Sequence, residues 1–227
     1  MQNINKKYAI VTGASKGVGR ETAKLLAASG YYVIAVARTL DRLKTLESEN
    51  IEIYQLDVTD FEAIRLFYDH YKNITLSLLV NNAGGAMNHD LLDREKPESF
   101  NYAYNLNVTG PMFLSQLFLP NLQKALNPTI VFVSSMAGKF VYQGGGSYVI
   151  SKRALGALVE LMRLEFSGFG VKVTEICPGS INTIEQEDRP QALQGLDLAQ
   201  TILWVASMPK NCNINHIEMT PLKSRRY

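Results

Sequence analysis

The stretch Tyr8-Ala-Ile-Val-Thr-Gly-Ala-Ser-Lys-Gly-Val-Gly19 decides how the chain is read. Its first four residues form an apolar run of the length expected for a buried strand. Residues 12–19 are then a glycine-rich turn, and residues 17–29 place Val18, Ala23, Leu25, Leu26 and Ala28 at helical spacing until Gly30 stops them. A strand that passes through a glycine turn into a helix gathers backbone N–H groups at a helix N-terminus, which suits the pyrophosphate of a dinucleotide. The spacing is G-x-x-x-G-x-G and not the commoner G-x-G-x-x-G. Gly13 permits the tight turn, Gly17 lets the backbone approach a phosphate, and Gly19 lets the helix pack closely on the strand.

The alternation continues along the chain. Apolar runs at residues 32–37, 51–56, 76–80, 129–133, 171–176 and 214–219 read as further strands. Helical patterns at 40–49, 61–71, 100–122, 148–166 and 198–207 lie between them, with Gly110-Pro111 as a kink in the longest. Gly144-Gly-Gly146 loosens the chain before the helix that carries Tyr148. Continuously apolar strands alternating with helices predict an α/β fold, a parallel sheet with helices on both faces. No linker or repeat divides it, so residues 1–227 read as one domain. Residues 180–196, rich in Glu, Gln, Asp and Pro, read as a mobile substrate loop.

Composition narrows the function classes. The 227 residues are 46% hydrophobic and 19% charged, ordinary for a soluble globular protein with a sizeable core. A net charge of +2 points to neither nucleic acid nor an anionic membrane as a partner. Lys223-Ser-Arg-Arg226 reads as a solvated tail. No apolar run approaches the roughly 20 residues of a membrane span, and residues 1–7 lack the apolar stretch of a signal peptide. Cys177 and Cys212 have neither C-x-x-C spacing nor a His/Cys cluster, so no disulfide framework and no metal site is expected. A cytoplasmic location is the default.

Two groups of residues carry chemistry. Tyr148 and Lys152 form Y-x-x-x-K and share one face of a helix. A nearby ammonium favours the phenolate and lowers a phenol's pKa from about 10 toward working pH. Such a phenol can pass a proton to or from an alcohol oxygen. At the end of the second strand, Ala35-Val-Ala-Arg-Thr39 has no carboxylate where an NAD site commonly carries one. Arg38, with Lys16 of the glycine turn, offers charge-assisted bonds to the 2′-phosphate of NADP(H), the bland alternative being two solvated cations.

With these residues in view, the chain resembles the short-chain dehydrogenase/reductase family in its classical, NADP(H)-preferring form. Residues 12–19, Leu56-Asp-Val58, Asn81-Asn-Ala-Gly84, Asn107-Val-Thr-Gly110, Ser134-Ser135, Tyr148 with Lys152, and Pro178-Gly-Ser-Ile-Asn-Thr183 follow one another in family order over residues 8–220. The resemblance implies a Rossmann-type, doubly wound sheet of about seven strands and a catalytic tetrad of Asn107, Ser135, Tyr148 and Lys152. Ser135 is taken over Ser134 because it lies thirteen residues before Tyr148. Its hydroxyl would hold the substrate oxygen, Tyr148 would protonate it, and Lys152 would depress the tyrosine pKa and bind the nicotinamide ribose. Asn107 would hold a helix kink open for a water linking Lys152 to solvent. Of the cofactor contacts, Gly13, Lys16, Gly17 and Gly19 belong to the phosphate end and Arg38 to the 2′-phosphate. Asp57 and Val58 would border the adenine, and Asn82, Ala83 and Gly84 would pack along the cofactor. Ile181 and Thr183 would contact the carboxamide, and Ser15, Val18, Thr39, Pro178 and Gly179 complete the implied contacts.

The implied activity is hydride transfer between NADP(H) and a small carbonyl or secondary alcohol. A catalytically silent NADP(H)-binding regulator of the same fold is the alternative, and the complete tetrad speaks against it. Nucleotide-sugar epimerases and dehydratases differ in glycine spacing and need a larger C-terminal region. The segment after Thr183 is shorter than many relatives place there, so the substrate cover is short. The ending Asn213-Ile-Asn-His-Ile-Glu-Met-Thr-Pro221 is similar to that of family members acting on small hydroxy acids and related carbonyls. The helix after Tyr148 carries Ala154, Leu155, Ala157, Leu158, Leu161, Met162 and Leu164, more apolar surface than one sheet face covers, and predicts a homotetramer or homodimer. His70, His89 and His216 read as scattered surface residues, and Glu185, Glu187 and Asp188 as a solvated loop. Met87, Phe140 and Tyr142 belong either to the substrate pocket or to the core.

Overall fold

The chain forms seven strands: β1 Lys7–Thr12, β2 Tyr31–Ala37, β3 Ile51–Gln55, β4 Leu76–Asn81, β5 Thr129–Val133, β6 Lys172–Pro178 and β7 His216–Met219. They are seen in a computed structural model that describes residues 6–182, 189 and 191–223. All pair in parallel, in the order β3-β2-β1-β4-β5-β6-β7. The helices between them are α1 Gly17–Ala28, α2 Leu40–Lys44, α3 Phe61–Tyr71, α4 Pro97–Tyr104, α5 Gly110–Gln123, α6 Gly146–Ser167 and α7 Gly195–Ser207.

Strand side chains alternate between two cores. Ile10, Ile34 and Val36 face one layer, with Phe67 of α3, Phe118 of α5 and Val159 of α6. Ala9, Val11, Val33 and Ala35 face the other, with Leu26 of α1, Leu43 of α2 and Ile202 of α7. This double burial is why the strands read as unbroken apolar runs. The chain winds outward from β1 to β3 and then crosses to β4 on the other side of β1. The loops after β1 and β4 therefore diverge, and a crevice opens over the carboxyl ends of these strands.

Three expectations need correction. The helix read at 40–49 stops at Lys44, because the Leu46 N–H turns back to the Leu43 carbonyl and Ser48 bridges Ile51. The helix read at 100–122 is α4, a widened π-helical turn at Asn105–Thr109, and α5. The irregularity thus precedes Gly110 rather than centring on Pro111. Gly110 is needed because a Cβ there would overlap the Val58 carbonyl oxygen. Gly144-Gly-Gly146 is no slack segment either: its second residue, Gly145, is buried and a Cβ on it would overlap Val149.

The base of the substrate loop is pinned, with Asn182 donating its N–H to Leu193 O at 2.8 Å and Leu193 donating to Ser180 O at 3.0 Å. Thr183, Glu185, Glu187, Asp188 and the tail beyond Lys223 lie outside the described residues. No described helix is long and apolar enough to cross a membrane.

Candidate active site

A cleft of about 550 Å³ lies over the ends of β1, β2 and β4. Its floor is fixed by Thr12, whose Oγ1 accepts from the N–H groups of Asn82 and Ala83, each at 3.0 Å. The Asn82 amide donates back to Thr12 O at 2.8 Å. This bracket ties the loop after β4 to the glycine turn. Gly13 has φ +69°, and a Cβ on it would come within 2.8 Å of Asn82 Nδ2. A Cβ on Gly19 would overlap the Gly13 carbonyl, so Gly19 serves close packing and does not line the cleft. Gly13, Ser15, Lys16, Gly17 and Val18 do line it. The N-terminus of α1 has no side-chain cap and no acidic residue in its first turn. Its free N–H groups and positive dipole end fit an anion such as pyrophosphate.

Arg38 and Thr39 stand exposed on the cleft at the end of β2, with Asp57 and Val58 beside them. The Arg38 guanidinium donates to Tyr102 Oη at 2.7 Å and lies 3.7 Å from an Asp57 carboxylate oxygen. Arg42 adds a cation to this rim. Arg42 belongs to α2 while Arg38 precedes that helix, so no helical spacing in the sequence linked the two. Asn82, Ala83, Gly84 and Ile181 line the cleft further in, as do Leu106 and Val133, which the motifs do not mark, and Ser134, the neighbour over which Ser135 was taken. Pro178 and Gly179 do not line it. Pro178 pairs with Met219, and the Gly179 N–H bonds the Met219 carbonyl at 2.7 Å, so they shape the end of β6.

Tyr148 and Lys152 project from the first turns of α6 into the same cleft. Lys152 is buried, and its ammonium donates to Val133 O at 3.2 Å. Burial pushes its pKa down to about 8, while the Glu175 carboxylate pulls it upward. Burial also pushes the Tyr148 phenol above its ordinary value, opposed by a hydrogen bond from Ser135. The lowering expected from the Y-x-x-x-K spacing is therefore not seen: Lys152 Nζ is 5.9 Å from the Tyr148 ring centroid, and desolvation dominates.

Ser135 starts the short turn Met136–Gly138 and its Oγ accepts from the Ala137 N–H at 3.1 Å. Asn107 sits in the π-helical turn and is buried. Its Oδ1 accepts from the Gly85 N–H at 3.0 Å, and its amide donates to Gly85 O at 2.7 Å, Ala103 O at 2.9 Å and Ser151 Oγ at 3.0 Å. One side chain thus joins the loop after β4, the widened turn and the catalytic helix. A Cβ on Gly84 would stand 2.9 Å from both Asn107 Oδ1 and Lys152 Nζ, so only glycine fits there.

Two histidines are less remote than the sequence reading had them. The His89 ring meets the Tyr148 ring edge-on, with centroids 5.6 Å apart. His216 bonds Glu175 and Glu218, each at 3.1 Å. Glu175 is buried, yet its pKa is lowered: burial would raise it, but the Ser134 hydroxyl and the Lys139 ammonium at 3.2 Å outweigh this. Cys177 lies beside it, its thiol pushed up to about 12 by burial and by Glu175. The ligand atoms of Glu175, Cys177 and His216 lie within 4.8 Å of one another, closer than the scattered sequence positions implied. The carboxylate in this group is already paired with Lys139 and His216. Met87, Phe140 and Tyr142 are 65%, 47% and 45% exposed, which removes them from the core.

The pattern of the short chain dehydrogenase family matches residues 7–194. A protein of Mycobacterium tuberculosis described as an uncharacterized oxidoreductase is 34% identical over 95% of this chain and 91% of its own length. The serine 3-dehydrogenase of Agrobacterium fabrum is 31% identical over 94% of this chain and 93% of its own. Among solved structures, the closed form of a serine dehydrogenase complexed with NADP+ superposes with a TM-score of 0.87, at 27% identity over 96% of each chain. The chain belongs to the short-chain dehydrogenase family and is an oxidoreductase of that family.

Proposed function

We propose that the protein transfers a hydride between NADP(H) and a small carbonyl or secondary alcohol, with Tyr148 as general acid or base. The observation that carries this reading is a single cleft lined both by a helix N-terminus with cations Lys16, Arg38 and Arg42 and by Tyr148 and Lys152. Bound NADP(H) supplies the hydride; the chain supplies position, charge and a proton. Lys16, Arg38 and Arg42 take the 2′-phosphate, the first turn of α1 the pyrophosphate, and Asp57 and Val58 the adenine side. Lys152 bonds the nicotinamide ribose, and Ile181 borders the carboxamide. Ser135 donates to the substrate oxygen as negative charge grows on it. Tyr148 gives that oxygen a proton; its raised pKa keeps the phenol in the donor form in the free protein. Asn107 holds the loop after β4 against α6. The NADP+ bound by a relative's solved structure supports the cofactor assignment.

The serine dehydrogenase names of two relatives favour a small hydroxy acid as the substrate of a second reading. We place the protein in the cytoplasm, where the free Cys177 and Cys212 stay reduced, and as a homotetramer or homodimer. Initial rates with NADPH and NADH against ketones, aldehydes and oxo acids, and with NADP+ and NAD+ against secondary alcohols, serine and other hydroxy acids, test the reading. Turnover of any member with NADPH or NADP+ supports it, turnover with NADH or NAD+ alone overturns the cofactor assignment, and cofactor binding without turnover anywhere favours a regulatory role instead.

A further inference from the structure

We propose that Glu95 is a positioning residue for the catalytic tyrosine: its carboxylate reaches across from the loop after β4, caps the N-terminus of α6 and fixes the turn on which Tyr148 stands. The inference rests on the role of Tyr148 given above. α6 begins without a cap of its own. Its N-cap is Gly145, which has no side chain to bond the first-turn amides, and its first turn contains no acidic residue. A 22-residue helix therefore presents free N–H donors and a positive dipole end one step before Tyr148. Glu95 answers both, its Oε2 accepting from the Ser147 N–H at 3.2 Å. The acceptor comes from fifty-two residues earlier in the chain, so no local helix-start pattern reveals it.

The backbone around this contact is shaped to admit it. Gly146 has φ +36°, and a Cβ on it would overlap Glu95 Oε2 and stand 3.0 Å from Asp90 O. Gly144 has φ +78°, and a Cβ there would lie 3.6 Å from His89 O. The glycines are thus a seat on which residues 89–95 rest. The second oxygen, Glu95 Oε1, is buried with no hydrogen-bond partner. A carboxylate stripped of water on that side is costly unless its charge is used, and the α6 terminus uses it. Because the same loop puts the His89 ring against Tyr148, Glu95 sets the loop and the phenol relative to each other. A misplaced phenol slows proton transfer without weakening the distant cofactor contacts.

The test compares Glu95→Ala, Glu95→Gln and Tyr148→Phe with the parent protein for kcat, NADPH Kd and melting temperature. Glu95→Ala is expected to lower kcat about tenfold or more with NADPH Kd within about twofold of the parent, and Glu95→Gln, which keeps an acceptor oxygen but not the charge, to fall between. Kinetics are read well below each variant's melting temperature, so a purely structural role would lower Tm and leave kcat unchanged. That result overturns the proposal, as does an NADPH Kd that weakens in step with kcat. If Glu95→Ala does not fold, Glu95→Gln decides alone: a kcat equal to the parent's overturns the proposal, a fall supports it. Loss of turnover in Tyr148→Phe with none in the Glu95 variants sinks only the positioning role, whereas an active Tyr148→Phe sinks the catalytic reading itself.

Discussion

Lys152 and Tyr148 show how far residue spacing can be read. Their positions four apart gave the shared helix face, and the structure places both on the cleft. Their proton affinities were not legible, because desolvation is a property of the packed molecule and not of spacing. Tyr148→Phe is expected to remove nearly all turnover while leaving NADPH binding intact, since one hydroxyl is lost and packing survives. Steady-state rates check it; retention of more than a tenth of kcat/KM, a loss below about 1.4 kcal/mol, places the proton donor elsewhere. Lys152 gives a pH dependence. Its folded pKa of about 8 lies below the ordinary 10.5, so between these values the unfolded chain holds a proton that the folded chain has released. Stability from this group is therefore lowest below pH 8 and rises with pH toward 10.5, on the order of 3 kcal/mol over the window. Denaturant melts of the cofactor-free protein at stepped pH measure it, and Lys152→Met should flatten the rise. His89 and Glu95 escaped the sequence reading because their partners are distant in the chain, and no local pattern marks such contacts.

At the scale of elements, the strands were the most legible part. Thr129–Val133 and Phe61–Tyr71 fall where the apolar pattern puts them, because burial on two sheet faces or along one helix stripe leaves a plain periodicity. The π-helical turn was not legible. It depends on Asn107 trading local for tertiary hydrogen bonds, with Gly85 and Ser151 as partners. The end of β2 was read from what it lacks, and the structure adds Arg42 and the Tyr102 hydroxyl to Arg38. NADP(H) is expected to bind about ten times or more tighter than NAD(H), given charge-assisted contacts of about 1.5–3 kcal/mol each. Ala37→Asp combined with Arg38→Ile should move the preference toward NAD(H), through repulsion of the phosphate as well as loss of a partner. Titrations of both cofactors against parent and variant decide this, and equal or tighter NADH binding by the parent defeats it.

For the whole molecule, the sequence reading of an α/β fold agrees with a seven-stranded parallel sheet flanked by helices. The outer face of α6 carries apolar side chains that the sheet does not cover. Ile150, Leu161 and Leu164 are 40%, 56% and 72% exposed, and Ala157 lies exposed among them. Such an apolar stripe is suited to a symmetry mate. Sedimentation equilibrium at micromolar concentration is expected to give a dimer or tetramer, and Ala157→Glu to lower the mass; a single species near 25.3 kDa for the parent counts against assembly. The cleft itself draws its walls from Gly13 at the end of β1 and from Ile181 beyond β6. During synthesis the first wall leaves the ribosome long before the last, and a nascent chain lacking β6 has no complete place for a dinucleotide. A nicotinamide dinucleotide can therefore stabilise the chain by mass action only once the polypeptide is nearly finished. Until Ile181 is in place, the growing chain must hold its partial sheet without help from that ligand.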